Sequence, residues 1–195
     1  MYKKYVKRYL DIIIALVGII ITIIPMMIIA VIILAEDPAS PLFTQKRVGK
    51  NRKYFKLYKF RTMRKDAPRD IPTHLFKDAD KYLLKCGRIF RKTSLDEIPQ
   101  LFNILKGEMS LIGPRPALWN QDDLIAEREK YGANSIVPGL TGWAQVNGRD
   151  ELSIPEKARL DGEYVKNLSF RMDVKCFLKT ISSVIECKDV VEGGK

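Results

Sequence analysis

The sequence predicts an α+β, mainly helical chain: a re-entrant membrane helix (residues 1–36), then a compact membrane-surface domain (37–195) with one small β-hairpin. Three observations lead there. An uncharged apolar run is interrupted by a central proline, two short aromatic-rich runs flank a polar turn, and most of the remaining chain repeats its apolar residues at helical spacing.

The apolar run is Ile12 to Ala35, 24 residues of mostly Ile, Leu, Val and Met, preceded by Lys3, Lys4, Lys7 and Arg8 and followed by Glu36 and Asp37. As a straight helix it would measure about 36 Å, enough for a hydrocarbon core of about 30 Å. The run is too long for the apolar core of a signal peptide, and no small-residue cleavage site closes it. Pro25 removes a backbone hydrogen bond near the middle, which predicts a kink or a break. A span would export a strongly basic domain with free cysteines, against the positive-inside tendency. A helix that breaks at Pro25 and returns keeps both ends on the cytoplasmic side, and this is the expectation.

Beyond it, Pro41–Gln45 and Tyr54–Met63 read as strands around the turn Gly49-Lys50-Asn51. The segment from Asp66 to Asp80, with Pro68 and Pro72, reads as a surface loop. Helices are expected over about Asp78–Phe90, from the Ser94–Glu97 region to Gly107, over about Asp122–Tyr131, and once or twice between Pro155 and Cys187. Pro138 to Arg149 is a Gly/Pro-rich loop.

Charge narrows the partners. The chain carries a formal charge of +11 and a pI near 9.6, so it calls for anions: lipid headgroups, phosphorylated substrates or nucleic acid. Residues 46–65 hold ten Lys or Arg and no acid, which reads as a basic face on an anionic membrane surface. Three cysteines without a CxxC favour a reduced compartment, and the single histidine, His74, sits in a loop. Any chemistry therefore falls to carboxylates, Arg and Lys.

Asp96-Glu97 is the leading candidate for that chemistry. Ser94-x-x-Glu97 also fits a capping box, with Asp96 merely favouring the helix dipole. Against this, Arg88, Arg91 and Lys92 lie just upstream, and cations hold a carboxylate ionised for nucleophilic attack or metal binding. Lys59 and Arg61 stand inside an aromatic strand, where a charge needs a buried partner or a ligand. Arg115 is stiffened by prolines on both sides, which suits bidentate phosphate binding as well as an ordinary tight turn. In the late loop, Trp143 offers stacking, Gln145 and Asn147 hydrogen bonds, Arg149 a phosphate contact and the glycines close backbone approach. An ordinary Gly-rich loop explains the same composition.

In this order and spacing, the segments resemble the bacterial sugar transferases, the small monotopic phosphoglycosyl transferases. The carriers are the basic-apolar N-terminus with Pro25, Phe43-Thr-Gln45, Tyr58–Met63, Arg91–Leu101, Gly107–Pro116, Pro138–Arg149, and Asp161 with Tyr164. The resemblance implies a nucleophilic Asp96 that attacks the β-phosphorus of a UDP-sugar and expels UMP, with Glu97 as its partner carboxylate. It further implies Mg²⁺ close to Asp96, Arg115 on phosphate, and a polyprenyl (undecaprenyl) phosphate acceptor. The site would face the cytoplasm at the bacterial inner membrane. Many relatives place Ser before the helix-breaking proline and Arg before the late Pro-Gly, where this chain has Ile24 and Val137. A membrane-tethered nucleic-acid-binding protein is the rival reading, with residues 46–65 tracking phosphates and Tyr54, Phe55, Tyr58 and Phe60 stacking on bases; it leaves Asp96-Glu97 and the Pro-Arg-Pro turn unexplained. A monomer or a homodimer suits the size.

Overall fold

The computed structural model describes residues 1–68, 79–148 and 151–185, so the expectations for most of the 66–80 loop, His74, Arg149 and Cys187 lie outside the described residues. A π-helical turn, Tyr2–Val6, leads into α1 (Lys7–Glu36), a helix of 30 residues with Pro25 inside it. The expected break at Pro25 is absent from the helix itself. The proline forfeits a single bond, the one to the Ile21 carbonyl. Thr22 donates to the Gly18 carbonyl (2.6 Å), a turn earlier than that freed group.

What keeps α1 continuous is its seat. Ala15, Ile29 and Ile33 are buried against the rest of the protein, and Gly18 lets Leu101 come close. The opposite side, including Ile20, Ile21, Ile24, Ile28 and Val31, is exposed. Both ends are tied down. Near the start, the Tyr2 hydroxyl and Lys7 reach Asp173, Arg8 donates to the carbonyls of Ile104 and Leu105, and Asp11 accepts from the Leu111 amide. At the far end, Glu36 accepts from the amides of Lys85 and Cys86. Arg61 binds the Asp37 carboxylate and the carbonyls of Asp37, Ala39 and Ser40.

The hairpin forms as expected: β1 (Leu42–Val48) pairs antiparallel with β2 (Tyr54–Phe60). Period-2 alternation sorts its side chains. Phe43, Gln45 and Arg47 share the inner face with Lys59, Leu57 and Phe55, their cross-strand partners. Thr44, Lys46, Tyr54 and Lys56 face out. Asn103 stitches β2 to the helix behind it, accepting from the Tyr58 amide and donating to the Lys56 carbonyl.

The single helix expected over 78–90 is two, α2 (Ala79–Tyr82) and α3 (Lys85–Lys92). The chain between them adds to the strand's continuation, through a Met63–Leu83 bridge and a Leu84 amide on the Thr62 carbonyl. After α4 (Gln100–Lys106) ends at Gly107 with φ +81°, a feature the sequence did not predict appears. This is a parallel pair, β3 (Ser110–Ile112) with β4 (Gly139–Thr141). Two glycines of the late loop, Gly139 and Gly142, serve this pairing. A Cβ on Gly139 would stand 2.1 Å from the Gly113 amide nitrogen, and one on Gly142 would stand 2.0 Å from its carbonyl oxygen. Their close approach is to backbone.

Helix α5 (Asp122–Glu129) precedes β4, and α6 (Ile154–Asn167) opens on a reciprocal Ser153–Glu156 capping box. Helix α7 (Phe170–Ile185) completes a core in which Trp143 packs with Ile112, Leu160, Tyr164, Met172 and Cys176. Cys86 and Cys176 are free and buried.

Candidate active site

Asp96 and Glu97 lie in a 3₁₀ turn, Leu95–Glu97, between α3 and α4. Ser94 enters it in the left-handed region (φ 56°), makes no side-chain cap bond, and leaves Glu97 free of capping. The capping-box alternative is thereby overturned. A non-glycine residue held at positive φ costs on the order of 1 kcal/mol and is characteristic of functional turns. Both carboxylates meet Lys59 on the inner face of the hairpin.

There Lys59 donates to Glu97 Oε1 at 2.7 Å and stands 3.6 Å from Asp96 Oδ2. Arg115 donates to the same Glu97 oxygen at 2.9 Å. Arg91, held by its Nε on the Thr62 hydroxyl (2.9 Å), acts on Asp96 through its charge. The structure thus brings together Lys59, Arg91, Asp96, Glu97 and Arg115, five residues drawn from β2, α3, the 3₁₀ turn and the Pro114–Pro116 turn.

Their electrostatics separate the two carboxylates. Burial pushes the Asp96 carboxyl above the usual range; Lys59, Arg91 and Arg115 pull it back and the Glu97 charge pushes it further up, leaving it raised. Burial opposes the Glu97 charge too, but Arg115 and Lys59 override it and hold Glu97 well below the usual carboxylate range. Glu97 is a fixed anion and Asp96 the more basic oxygen, the division of labour that a nucleophile and its supporting partner need.

The turn that carries Arg115 is fixed at four successive carbonyls. Pro114 accepts from the Gly139 amide at 2.9 Å and Ala117 from the Val48 amide at 2.9 Å. The Arg115 carbonyl accepts from Arg128 at 2.9 Å and that of Pro116 from Arg47 at 3.0 Å. Arg128 is itself paired with the buried Asp161 at 2.6 Å.

Four expected substrate residues sit elsewhere. Arg61 anchors the chain after α1. Trp143 is 7 % exposed in the core, with Lys175 and Lys179 over its ring, so it offers no stacking face. Gln145 donates to the Leu140 carbonyl. Asn147 donates to the Trp143 carbonyl and accepts from Lys179. These amides brace the loop and α7. Sequence reasoning missed Arg47 and Arg128 as site residues, and it marked Asp161 only as a carrier of the family resemblance. For Arg47 a signal existed in the alternation of Phe43, Gln45 and Arg47, hidden within a run that reads as solvated.

Among the described residues, no group of three or more His, Cys, Asp or Glu side chains is placed to hold a metal. Mg²⁺ commonly takes one or two carboxylates and completes its shell with water and substrate phosphates. Asp96 fits that requirement as a single protein ligand, since Glu97 is occupied by two cations.

The sequence matches the bacterial sugar transferase family over residues 2–187, and the chain belongs to that family. It is similar to an uncharacterized sugar transferase, EpsL, of Bacillus subtilis (46 % identity, covering 75 % of this chain and 71 % of that protein). It is also similar to a UDP-N-acetylgalactosamine-undecaprenyl-phosphate N-acetylgalactosaminephosphotransferase of Aeromonas hydrophila (38 %; 93 % of this chain, 44 % of that protein). A third relative is the undecaprenyl-phosphate galactose phosphotransferase of Salmonella typhimurium (33 %; 94 % and 41 %). The chain therefore spans less than half the length of the last two.

Proposed function

We propose that this chain is a phosphoglycosyl transferase that moves a sugar-1-phosphate from a UDP-sugar to undecaprenyl phosphate, the first membrane step in building a surface glycan. The observation that carries the proposal is the buried Asp96, raised in basicity, beside a Glu97 locked by Lys59 and Arg115. An Asp96 oxygen forms a bond to the β-phosphorus as the bond from that phosphorus to the bridging oxygen breaks, and UMP leaves with the electron pair. An oxygen of the lipid phosphate then attacks the same phosphorus and displaces Asp96. Lys59, Arg91 and Arg115 neutralise the diphosphate and aim it, which is most of what phosphoryl transfer demands. Asp96 would hold Mg²⁺ arriving with the diphosphate, and the ion would supply further neutralisation of the phosphate oxygens.

The membrane placement rests on α1. Its two ends bind one and the same domain, through Asp173 at the start and through Arg61 and the α3 amides at the finish. A domain that basic does not straddle a bilayer, so both ends lie on one side and the exposed Ile-rich face of α1 is sunk in lipid. UDP-sugars are cytosolic, which sets that side as the cytoplasmic face of the inner membrane. The nucleic-acid reading loses two of its four stacking residues, because Phe55 and Phe60 are 9 % and 4 % exposed in the core.

A panel of UDP-sugars offered to the detergent-purified protein with undecaprenyl phosphate tests the proposal. Release of UMP with one sugar or a few is the expected result. No release with any of them, together with salt-sensitive retardation of nucleic acid in a gel, would favour the rival.

A further inference from the structure

We infer that Arg47 is a positioning residue for the anion-binding role of Arg115, holding the Pro114–Pro116 turn and adding an unneutralised positive charge behind it. The inference rests on the reading that this site receives a diphosphate.

Arg47 belongs to the inner face of β1, beside Phe43 and Gln45. Its guanidinium is fixed at two points, Nη1 on the Pro116 carbonyl (3.0 Å) and Nη2 on the Gln45 side-chain oxygen (2.7 Å). Both acceptors are neutral. Among the described residues no carboxylate lies within ion-pairing distance of Arg47, and its Nε is buried without a partner. The β1 edge repeats the contact through backbone, with Val48 donating to the Ala117 carbonyl at 2.9 Å. Arg47 and Arg115 are thus joined by one residue of turn, and the cation on β1 stands behind the cation at the site.

A neutral side chain would tie down the Pro116 carbonyl at lower cost, since an unpaired buried charge is expensive. Burial and the charge of Arg115 push the Arg47 guanidinium down to about 9, against the pull of Glu97. An arrangement of two neighbouring cations with their nearby acid already shared is unfavourable until an anion arrives. Among the described residues no carboxylate in ion-pairing reach offsets the Arg47 charge, which Glu97 only attracts from a distance. An incoming diphosphate offsets it, and the turn held by Arg47 presents Arg115 to it.

The test is a double-mutant cycle of Arg47→Gln and Arg115→Ala, read as the KM for the UDP-sugar and as the affinity for inorganic pyrophosphate by calorimetry. Glutamine is too short to reach the Pro116 carbonyl from β1, so the turn loses that donor, while the Val48–Ala117 bond stays and the fold should survive with an unchanged circular dichroism spectrum. In the otherwise native protein Arg47→Gln should weaken both readouts about tenfold, as expected for losing one charge-assisted interaction. In the Arg115→Ala background the same change should cost less than about twofold, because its effect passes through Arg115. Equal losses in both backgrounds, or no loss in the first, overturn the inference. If Arg47→Gln does not fold, Arg47→Lys serves, with a smaller loss that must likewise vanish without Arg115. A native protein that binds no pyrophosphate also overturns it. A native protein that releases no UMP but shows the coupled pyrophosphate losses sinks the transferase reading and leaves this one standing.

Discussion

Lys59 lies 2.7 Å from Glu97 and 3.6 Å from Asp96, so the strand lysine hydrogen-bonds one carboxylate and holds a longer ion pair with the other. A hydrogen bond from Lys59 to Asp96 would lower the basicity of that carboxylate further than the longer ion pair does. Arg115 repeats the choice by binding the same Glu97 oxygen at 2.9 Å. Glu97 thus holds two cations beside Asp96, the proposed nucleophile, where an incoming diphosphate would compete for them.

Glu97→Gln should therefore harm the chemistry more than the binding. Lys59 and Arg115 would turn on Asp96 and lower its basicity, while remaining available to phosphate. Steady-state kinetics should show kcat down by about 10²-fold, a loss typical of one misplaced electrostatic partner, with KM changed far less. A rise in KM at unchanged kcat would place Glu97 in substrate binding instead.

The rate should also fall in acid at a pH above that of an ordinary aspartate. Asp96 must be ionised to attack, and its folded-state pKa is raised from 3.8, so the active form is present above the raised value and lost as pH falls through it. A kcat profile flat down to pH values near 4 would speak against Asp96 as the attacking group.

Chelation should stop turnover and Mg²⁺ should restore it, since among the described residues Asp96 is the one site carboxylate not hydrogen-bonded to two cations and the diphosphate must help carry the ion. Full activity in excess EDTA would mean that Lys59, Arg91 and Arg115 neutralise the donor unaided.

Arg61 and Trp143 should behave as structural residues. Arg61→Met strands the carbonyls of Asp37, Ala39 and Ser40 and should cost ~3 kcal/mol or more. Trp143→Ala empties a core site and should cost ~3–5 kcal/mol. Thermal unfolding would register both, with donor KM near native in whatever protein remains folded. A large KM effect with native stability would return either residue to the substrate site.

Both assignments show how far the sequence could be read. The α1 run, the hairpin and the Asp-Glu turn with Lys59, Arg91 and Arg115 were legible, because periodicity and clustered charge report directly on helices, strands and ionised sites. The roles of Arg61 and Trp143 were not, since a buried Arg satisfies a chain's own carbonyls as readily as a ligand's, and an indole fills a core as readily as it stacks. The late glycines looked like a ligand loop because close approach to backbone and to substrate demand the same missing Cβ, and strands of three residues carry too little periodicity to reveal β3 with β4. Pro25 suggested an interrupted helix, yet contacts along Ala15, Ile29 and Ile33 hold α1 together across it.

Topology offers a separate check. In a background with Cys86, Cys176 and Cys187 replaced, Lys3→Cys and Ser40→Cys flank α1 at exposed positions. Both should resist an impermeant thiol reagent in intact cells and react once the inner membrane is opened. Labelling at position 40 from outside would mean that α1 spans, and the cytoplasmic placement of the site would be lost.

The most direct measurement is the mass of the protein itself. Incubated with a UDP-sugar and Mg²⁺ but no lipid acceptor, the native chain should gain the mass of one sugar phosphate on the peptide containing Asp96 and release a matching amount of UMP. Undecaprenyl phosphate added afterwards should discharge it, and Asp96→Asn should gain nothing. Turnover to the lipid product by Asp96→Asn, or a native chain that turns over without ever carrying the adduct, would contradict a covalent role for Asp96.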